Sequence, residues 1–466
     1  LSGSASSLIS ENDAGRALKK LFFSLLGLYQ RSKKDAWRGK ESPVTSGVTM
    51  KICDLTQFYS PDSGGVKRYL TEKQAYIAEY TAHDHVLIVP GATSGVTQEG
   101  QTRIHTIRSP RITPTSRYRM MLRMNELHRI LEQEMPDIIE LGDPYHVAWS
   151  AVKFADIHKI PVVGFYHSNF PEAYVRTFMR FFGSGIAHAS ERYAQNYVCR
   201  LYNRMTATLV PSPGLHQLLS SWGVKKLFDV DLGVDIQTFS PEMAQPAQLR
   251  KNLGLPESTK LLLYVTRLSR EKNVQTLLNA FELLVQASDP HLTIPAPPVT
   301  QGIGADPVRP VIRDTQSGAK PYHLIIVGDG PLKKAVQATA NRTKALTHLP
   351  YISDKSKLAT LYASVDLFVH PGVLETFGLA ALEAQSCGTP VCGIKGSRLD
   401  RIIFTGLKFW ASMNSPENLA NAIQQMCFLD LKAMGQEARK AVVEKYSWPS
   451  VFDKLFSIYA ELTGKK

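Results

Sequence analysis

Residues 370–390 read HPGVLETFGLAALEAQSCGTP. The run Asp366-Leu367-Phe368-Val369 just before them predicts a short buried strand, and the residues between Glu375 and Glu383 are apolar helix formers. Glu375 is therefore expected in a loop leaving a strand, and Glu383 two turns into the following helix. Eight helical steps rise about 12 Å, too far for a glycosidase carboxylate pair at roughly 5–9.5 Å. The spacing suits a long ligand held at both ends, with an anion on the free amides around Phe377, Gly378 and Leu379 between them. A nucleotide sugar, with its hexose, diphosphate and ribose, has this layout. A helix carrying one capping Glu and one exposed Glu has the same pattern.

Working outward, short β-rich runs alternate with helical patterns. Strands are expected at Val48–Cys53, Val86–Val89, Ile104–Ile107, Ile138–Leu141, Val162–Tyr166 and Thr208–Val210, with a helix over Val66–Tyr80. A second series runs through Leu261–Thr266, His323–Val327, Asp366–Val369 and Pro390–Ile394. The alternation predicts an α/β fold of two doubly wound, Rossmann-like lobes with parallel sheets and a cleft between them. The expected layout is a basic amphipathic extension over 1–49, a first lobe over 50–215 and a linker over 216–240. A second lobe over 241–445 and a closing helix over 446–466 complete it. Ser288–Tyr322 carries seven prolines without periodicity and reads as a surface insertion, 288–322, in the second lobe.

Composition narrows the partners. A net charge of +13 implies an anionic one. Without a zinc-ligand cluster or an aromatic RNA-binding strand in the sequence, nucleotide phosphates or a membrane surface are expected, and no nucleic acid. No run of eighteen apolar residues occurs, so no membrane span is expected. Cys53, Cys199, Cys387, Cys392 and Cys427 are scattered in apolar segments, the pattern of buried thiols in a reducing compartment.

The candidate ligand-binding residues fall at strand ends, where open α/β sheets bind ligands. Gly64 and Gly65 precede a helix and would let the backbone approach a diphosphate, although ordinary turns use such pairs as well. His167 follows a strand and could donate to a sugar hydroxyl or serve a structural role. Arg267 and Lys272 could converge on one diphosphate, where cations stabilise the charge of a departing phosphate; a solvated basic helix start reads the same way. Gly328-Asp329-Gly330-Pro331 is either a turn or part of the site. Asp229-Val230-Asp231 matches D-x-D but lies at the joint between the lobes and reads as structural. No metal or cofactor is expected.

Together these pieces resemble the family 4 glycosyltransferases (group 1), retaining enzymes of the two-lobed GT-B fold. The resemblance rests on Gly64-Gly65, His167, Gly233-Val234-Asp235 with Phe239 and Pro241, and Arg267 with Lys272. Gly328-Asp329-Gly330, the E-x7-E at Glu375 and Glu383, and Cys387-Gly388-Thr389-Pro390-Val391 complete it, from Met50 to the C-terminus. It implies a metal-independent hexosyltransferase of the EC 2.4 class that takes a UDP- or GDP-sugar. Catalysis would fall to Glu375, His167, Arg267 and Lys272, with Glu375 at the hexose and His167 beside the transferred sugar. Donor binding would use Gly64, Gly65, Gly328, Gly378 and Leu379, with Arg267 and Lys272 on the diphosphate. Glu383 would take the ribose hydroxyls and the Ile352 backbone the base. The acceptor would be a lipid or saccharide. The chain departs from the family at Lys395–Asp400, where Asp400 is expected to cap the next helix in place of a Glu.

Two stretches in the first lobe, Arg117–Met124 and Val175–Phe182, interleave arginines with large apolar side chains. They would bind anionic lipid, unless the apolar residues face the core. A cytoplasmic enzyme peripheral to the inner face of a membrane is expected. The competing readings are a hydrolase or phosphorylase on a similar scaffold, and an inactive membrane-associated relative.

Overall fold

The computed structural model describes residues 49–57, 59, 65–112, 116, 118–166, 184–287, 321–373, 375, 377–397 and 399–465. Almost all of the basic extension and of the proline-rich insertion, the Val175–Phe182 stretch, Gly64 and His167 lie outside these residues.

The first lobe is built on β1 (Lys51–Leu55), α1 (Gly65–Tyr80), β2 (Asp84–Gly91), β3 (Gly95–Glu99) and β4 (Thr102–Arg108). It continues through α2 (Met124–Glu134), β5 (Ile138–Leu141), α3 (His146–His158), β6 (Val162–Phe165) and α4 (Ser184–Tyr202). β7 (Ala207–Val210), α5 (Pro213–Ser221) and β8 (Leu227–Asp229) close it. The eight strands form one sheet in the order β3-β4-β2-β1-β5-β6-β7-β8, parallel except for the β3–β4 pair. Side chains alternate across its strands. Val86 and Ile88 enter the core under α2 to α5, while Leu87 and Val89 enter the core under α1. Sequence periodicity missed β3, whose residues are all exposed and so carry no alternation. The segment expected as a linker, 216–240, contains most of α5 and all of β8, the edge strand of this sheet.

The second lobe comprises α6 (Pro246–Leu253), β9 (Lys260–Val265), α7 (Val274–Ala287), β10 (Tyr322–Val327), α8 (Lys333–Thr343) and β11 (Leu346–Leu349). α9 (Lys355–Ser364), β12 (Leu367–His370), α10 (Leu379–Ser386), β13 (Val391–Gly393), α11 (Pro416–Cys427) and α12 (Leu431–Tyr446) follow. Its five strands are parallel, in the order β11-β10-β9-β12-β13. All six residues of β10 are buried, as a sheet covered on both faces requires.

The chain crosses between lobes twice, side by side. Val234 donates its amide to the Tyr446 carbonyl at 2.8 Å, and a Cβ on Gly233 would stand 2.6 Å from the Trp448 ring. After Ser447, α13 (Trp448–Thr463) returns to the first lobe and packs Phe452 between Tyr69 and Tyr76 of α1. Beneath these rings, the fully buried Lys73 ammonium touches Asp54 at 2.8 Å, Glu140 at 3.0 Å and the Tyr459 hydroxyl at 3.1 Å. His85 holds the other Asp54 oxygen at 2.6 Å. Burial works against the ammonium, but the two carboxylates carry its pKa above the ordinary value. Lys73→Met would leave two carboxylates buried without their cation. The expected cost is roughly 3–5 kcal/mol, measured by urea unfolding followed by circular dichroism; a loss below about 1 kcal/mol would mean the cluster is not a tie.

Candidate active site

The site lies at the C-terminal ends of the second lobe's strands. β12 ends in His370, and the chain then leaves the sheet through Pro371 and Gly372 to Glu375. Gly378 stands at φ +91°, and a Cβ there would fall 2.0 Å from the Leu399 side chain, so both its backbone and its surroundings call for glycine. This left-handed residue breaks the run that sequence reads as one helix. α10 therefore begins only at Leu379, and Glu383 lies in its second turn, closer to the helix start than expected. The eight steps are not all helical, so the 12 Å figure does not describe their separation.

β9 delivers the cations. After Val265, the segment Arg270–Lys272 forms a single 3-10 turn, closed by Asn273 in the left-handed region at φ +55°. The Asn273 side chain donates to the Pro371 carbonyl at 2.8 Å, and the Tyr264 hydroxyl donates to the Lys272 carbonyl at 2.6 Å. The first bond fastens the β9 loop to the β12 loop and the second holds the β9 loop to its own strand; together they present Lys272, whose ammonium lies 2.7 Å from Glu375 Oε2. His370 Nε2 is 3.5 Å from the same oxygen. Burial tends to raise the Glu375 pKa, but His370 and Lys272 outweigh it and hold the carboxyl at about 2. Glu375 is thus an anion throughout the neutral range.

Arg267 is exposed on the same loop. The glycines of the β10 loop allow that loop to pack against it: a Cβ on Gly328 would sit 1.8 Å from the Thr266 carbonyl oxygen. Leu268 donates its amide to the Asp329 carbonyl at 3.0 Å. Gly328 therefore has a packing reason whatever it binds. Ile352 is half-buried in coil after β11, which stops at Leu349. Pro350 lacks an amide to continue the ladder. Gly65 opens α1 with open space beside it. Asp400 does not cap a following helix; its carboxylate accepts from the Gly396 amide at 2.8 Å and closes its own loop.

Across the cleft, Glu383 is 4% exposed and accepts a hydrogen bond from Arg68 of the first lobe. The structure thus brings Lys272 to Glu375 and adds two residues that sequence reading passed over. His370 was visible as a polar residue ending an apolar strand. Arg68 was visible as a cation one turn after the glycine pair, on the helix's inward side. Asp229 pairs with His216 and Asp231 with Arg401, so both carboxylates of the D-x-D are engaged in the fold. Among the described residues no cluster of His, Cys, Asp and Glu could hold a metal ion, and no helix is long and apolar enough to cross a membrane. The five cysteines are free thiols, four of them buried.

Residues 63–238 match the model of Glycosyltransferase Family 4, and residues 312–441 that of Glycosyl transferases group 1. A GDP-mannose-dependent α-(1-6)-phosphatidylinositol dimannoside mannosyltransferase of Mycobacterium tuberculosis is 30% identical over 80% of this chain and 87% of that protein. A GDP-mannose-dependent α-mannosyltransferase of Corynebacterium glutamicum is 28% identical over 76% of this chain and 74% of its own length. Among solved structures, sucrose-phosphate synthase of Thermosynechococcus elongatus superposes with a TM-score of 0.65 at 18% identity, covering 89% of this chain and 99% of that one. The two-lobed architecture is GT-B.

The Glu375 pKa has a consequence for stability. A carboxyl lowered on folding adds stability above its unfolded value near 4.5, and that contribution disappears as pH falls toward 2. Glu375→Gln should therefore be less stable than the wild type at pH 7, by on the order of 2 kcal/mol. The gap should narrow steadily below pH 4.5 in parallel urea titrations. A gap independent of pH would show that Glu375 is not held ionised by its neighbours.

Proposed function

The chain belongs to glycosyltransferase family 4, and on that premise we propose that it transfers mannose from GDP-mannose to a lipid-linked acceptor, with retention of the anomeric configuration. The observation that supports this most is the pairing of Lys272 with an ionised Glu375 at the end of β12. A permanent carboxylate beside an ammonium suits the junction between sugar hydroxyls and a diphosphate. In this reading Glu375 accepts hydrogen bonds from the hexose and Glu383 from the ribose. Lys272 and Arg267 hold the diphosphate, together with the first amides of α10 at Gly378 and Leu379. Ile352 borders the base, and Gly64, Gly65 and Gly328 let the backbone come close. His167 lies beside the transferred sugar.

The chemistry needs no further group from the chain. The bond between the sugar's anomeric carbon and the phosphate oxygen breaks, leaving negative charge that Arg267 and Lys272 stabilise. The acceptor hydroxyl bonds to the same face of that carbon, and its proton passes to a departing phosphate oxygen. No metal is required on this route.

Mannose and GDP are favoured over other sugars and bases by the mannosyltransferases of Mycobacterium and Corynebacterium, both GDP-mannose-dependent. A lipid acceptor is favoured by the phosphatidylinositol dimannoside in the first relative's name and by the surface between β4 and α2. There Leu122 is 57% and Ile112 42% exposed, beside the exposed Arg123. Met121, by contrast, is fully buried, so only part of the apolar series faces outward. This surface fits peripheral contact with an anionic membrane face.

Two outcomes are expected. In a screen of labelled UDP- and GDP-sugars the full chain should turn over GDP-mannose, and Glu375→Ala should abolish transfer while GDP still binds; unchanged transfer would contradict the assignment. The wild type should also sediment with phosphatidylinositol-containing vesicles at low salt and less at high salt. Leu122→Asp should weaken that association without altering GDP binding, and no association at low salt would remove the membrane contact.

A further inference from the structure

Arg68 stands in the first turn of α1, in the lobe that does not carry the E-x7-E stretch, yet it reaches Glu383. Its guanidinium lies over the Phe239 ring, 5.4 Å from the centroid. Phe239 is fully buried, and its carbonyl accepts a hydrogen bond from Ser386 at the end of α10. The guanidinium is thus clamped between a buried ring and a buried carboxylate at the junction of the lobes.

Only one of its nitrogens is used. Nη1 donates to Glu383, while Nε and Nη2 are buried and have no hydrogen-bond partner among the described residues. An arginine paired with a carboxylate commonly spends two parallel N–H groups on it. Here the fork is turned so that one prong engages the carboxylate and the remaining donors have no acceptor among the described residues. A buried, charged donor left in that state is costly, and such atoms call for an acceptor. Glu72, one turn further along α1, pairs with Lys355 of the second lobe at 2.7 Å; it acts on Arg68 through its charge, not through a hydrogen bond. The same ion pair draws the start of α1 toward the second lobe, so the cross-lobe placement of Arg68 does not depend on Glu383 alone.

We propose that Arg68 is a donor-binding residue supplied by the first lobe, and that its unused N–H groups receive the ribose–phosphate end of the nucleoside diphosphate beside Glu383. The inference rests on the assignment of Glu383 to the ribose made above, and goes beyond it by making nucleotide affinity depend on the approach of the two lobes. Glu383 then has two partners to share, a guanidinium and a ribose. The guanidinium exchanges part of its contact with the carboxylate for contact with the ligand. A nucleotide bound only to the second lobe would leave Arg68 unsatisfied, whereas one spanning both would close the cleft.

The test is calorimetric titration of the full chain with GDP. It compares the wild type with Arg68→Lys, Arg68→Met, Glu383→Gln and the Arg68→Met/Glu383→Gln double variant, each checked by circular dichroism. Arg68→Met should weaken GDP at least tenfold and raise the KM for GDP-mannose far more than it lowers kcat. Arg68→Lys should fall between the two, and carries the test if the Met variant does not fold. The double variant should lose less than the product of the two single losses. A role confined to holding the lobes together would shift the unfolding midpoint and leave GDP affinity alone. GDP binding equal to wild type in a folded Arg68 variant overturns the proposal while leaving the donor assignment intact. Failure of the wild type to bind GDP or UDP overturns both.

Discussion

The Lys73 ammonium is the constraint on which the arrangement of the two lobes depends. It is fully buried, and it is tolerated there because Asp54 and Glu140, from adjacent strands, supply two carboxylates. The third partner, Tyr459, comes from the last helix of the chain, which has crossed back from the second lobe. Charged groups in an apolar interior must find one another in a fixed geometry, so the cluster specifies where α13 docks in a way that the surrounding aromatic rings cannot. With α13 fixed, the two crossings at Gly233 and Trp448 are fixed as well, and with them the cleft.

From this anchor the site follows by short steps. α1 carries Lys73 on its inward side and Arg68 just over one turn earlier, so the helix nailed to the first sheet also presents a cation to the second lobe. On the opposite wall, Asn273 ties the β9 loop to the β12 loop, Tyr264 holds the β9 loop to its own strand, and Lys272 meets Glu375. Neither loop could adopt its position without glycines or left-handed residues at the contact points. Gly328 would otherwise clash with Thr266, Gly378 with Leu399, and Asn273 must accept φ +55°.

The alternation of apolar runs was enough to read the well-buried strands, such as Ile138–Leu141 and Val162–Phe165, which are buried along their whole length, but not β8 or β11, whose residues are mostly half-buried. β3 was not legible, because a fully exposed strand has no pattern to read. In the candidate site, Glu375, Glu383, Arg267 and Lys272 were singled out by the family resemblance, since their spacing alone fits a capped helix and a basic helix start as well; of these, the structure pairs Lys272 with Glu375. What sequence could not supply was pairing across the fold. Arg68 and Glu383 are more than three hundred positions apart, and nothing local to either marks the other. The demand for glycine at 378 was also hidden, since the side chain that leaves no room for a Cβ there is Leu399, twenty-one residues later.

Both carboxylates of the E-x7-E stretch already have cationic partners before any ligand arrives: Lys272 for Glu375 and Arg68 for Glu383. Both are nearly or partly buried, and an isolated carboxylate in such a place would be expensive. The pairs lend each acid the charge it needs within the fold. They also set the terms on which a ligand enters. A neutral hydroxyl cannot displace a cation outright, but it can share a carboxylate while the freed cation turns to a phosphate, so charge is conserved locally as contacts are exchanged. A ligand bearing hydroxyls alone would leave the cations unanswered, and one bearing phosphates alone would leave the carboxylates unanswered. On the proposed assignment, a molecule that carries hydroxyls at both ends and phosphates between them would satisfy all four groups at once, as neither of its parts would.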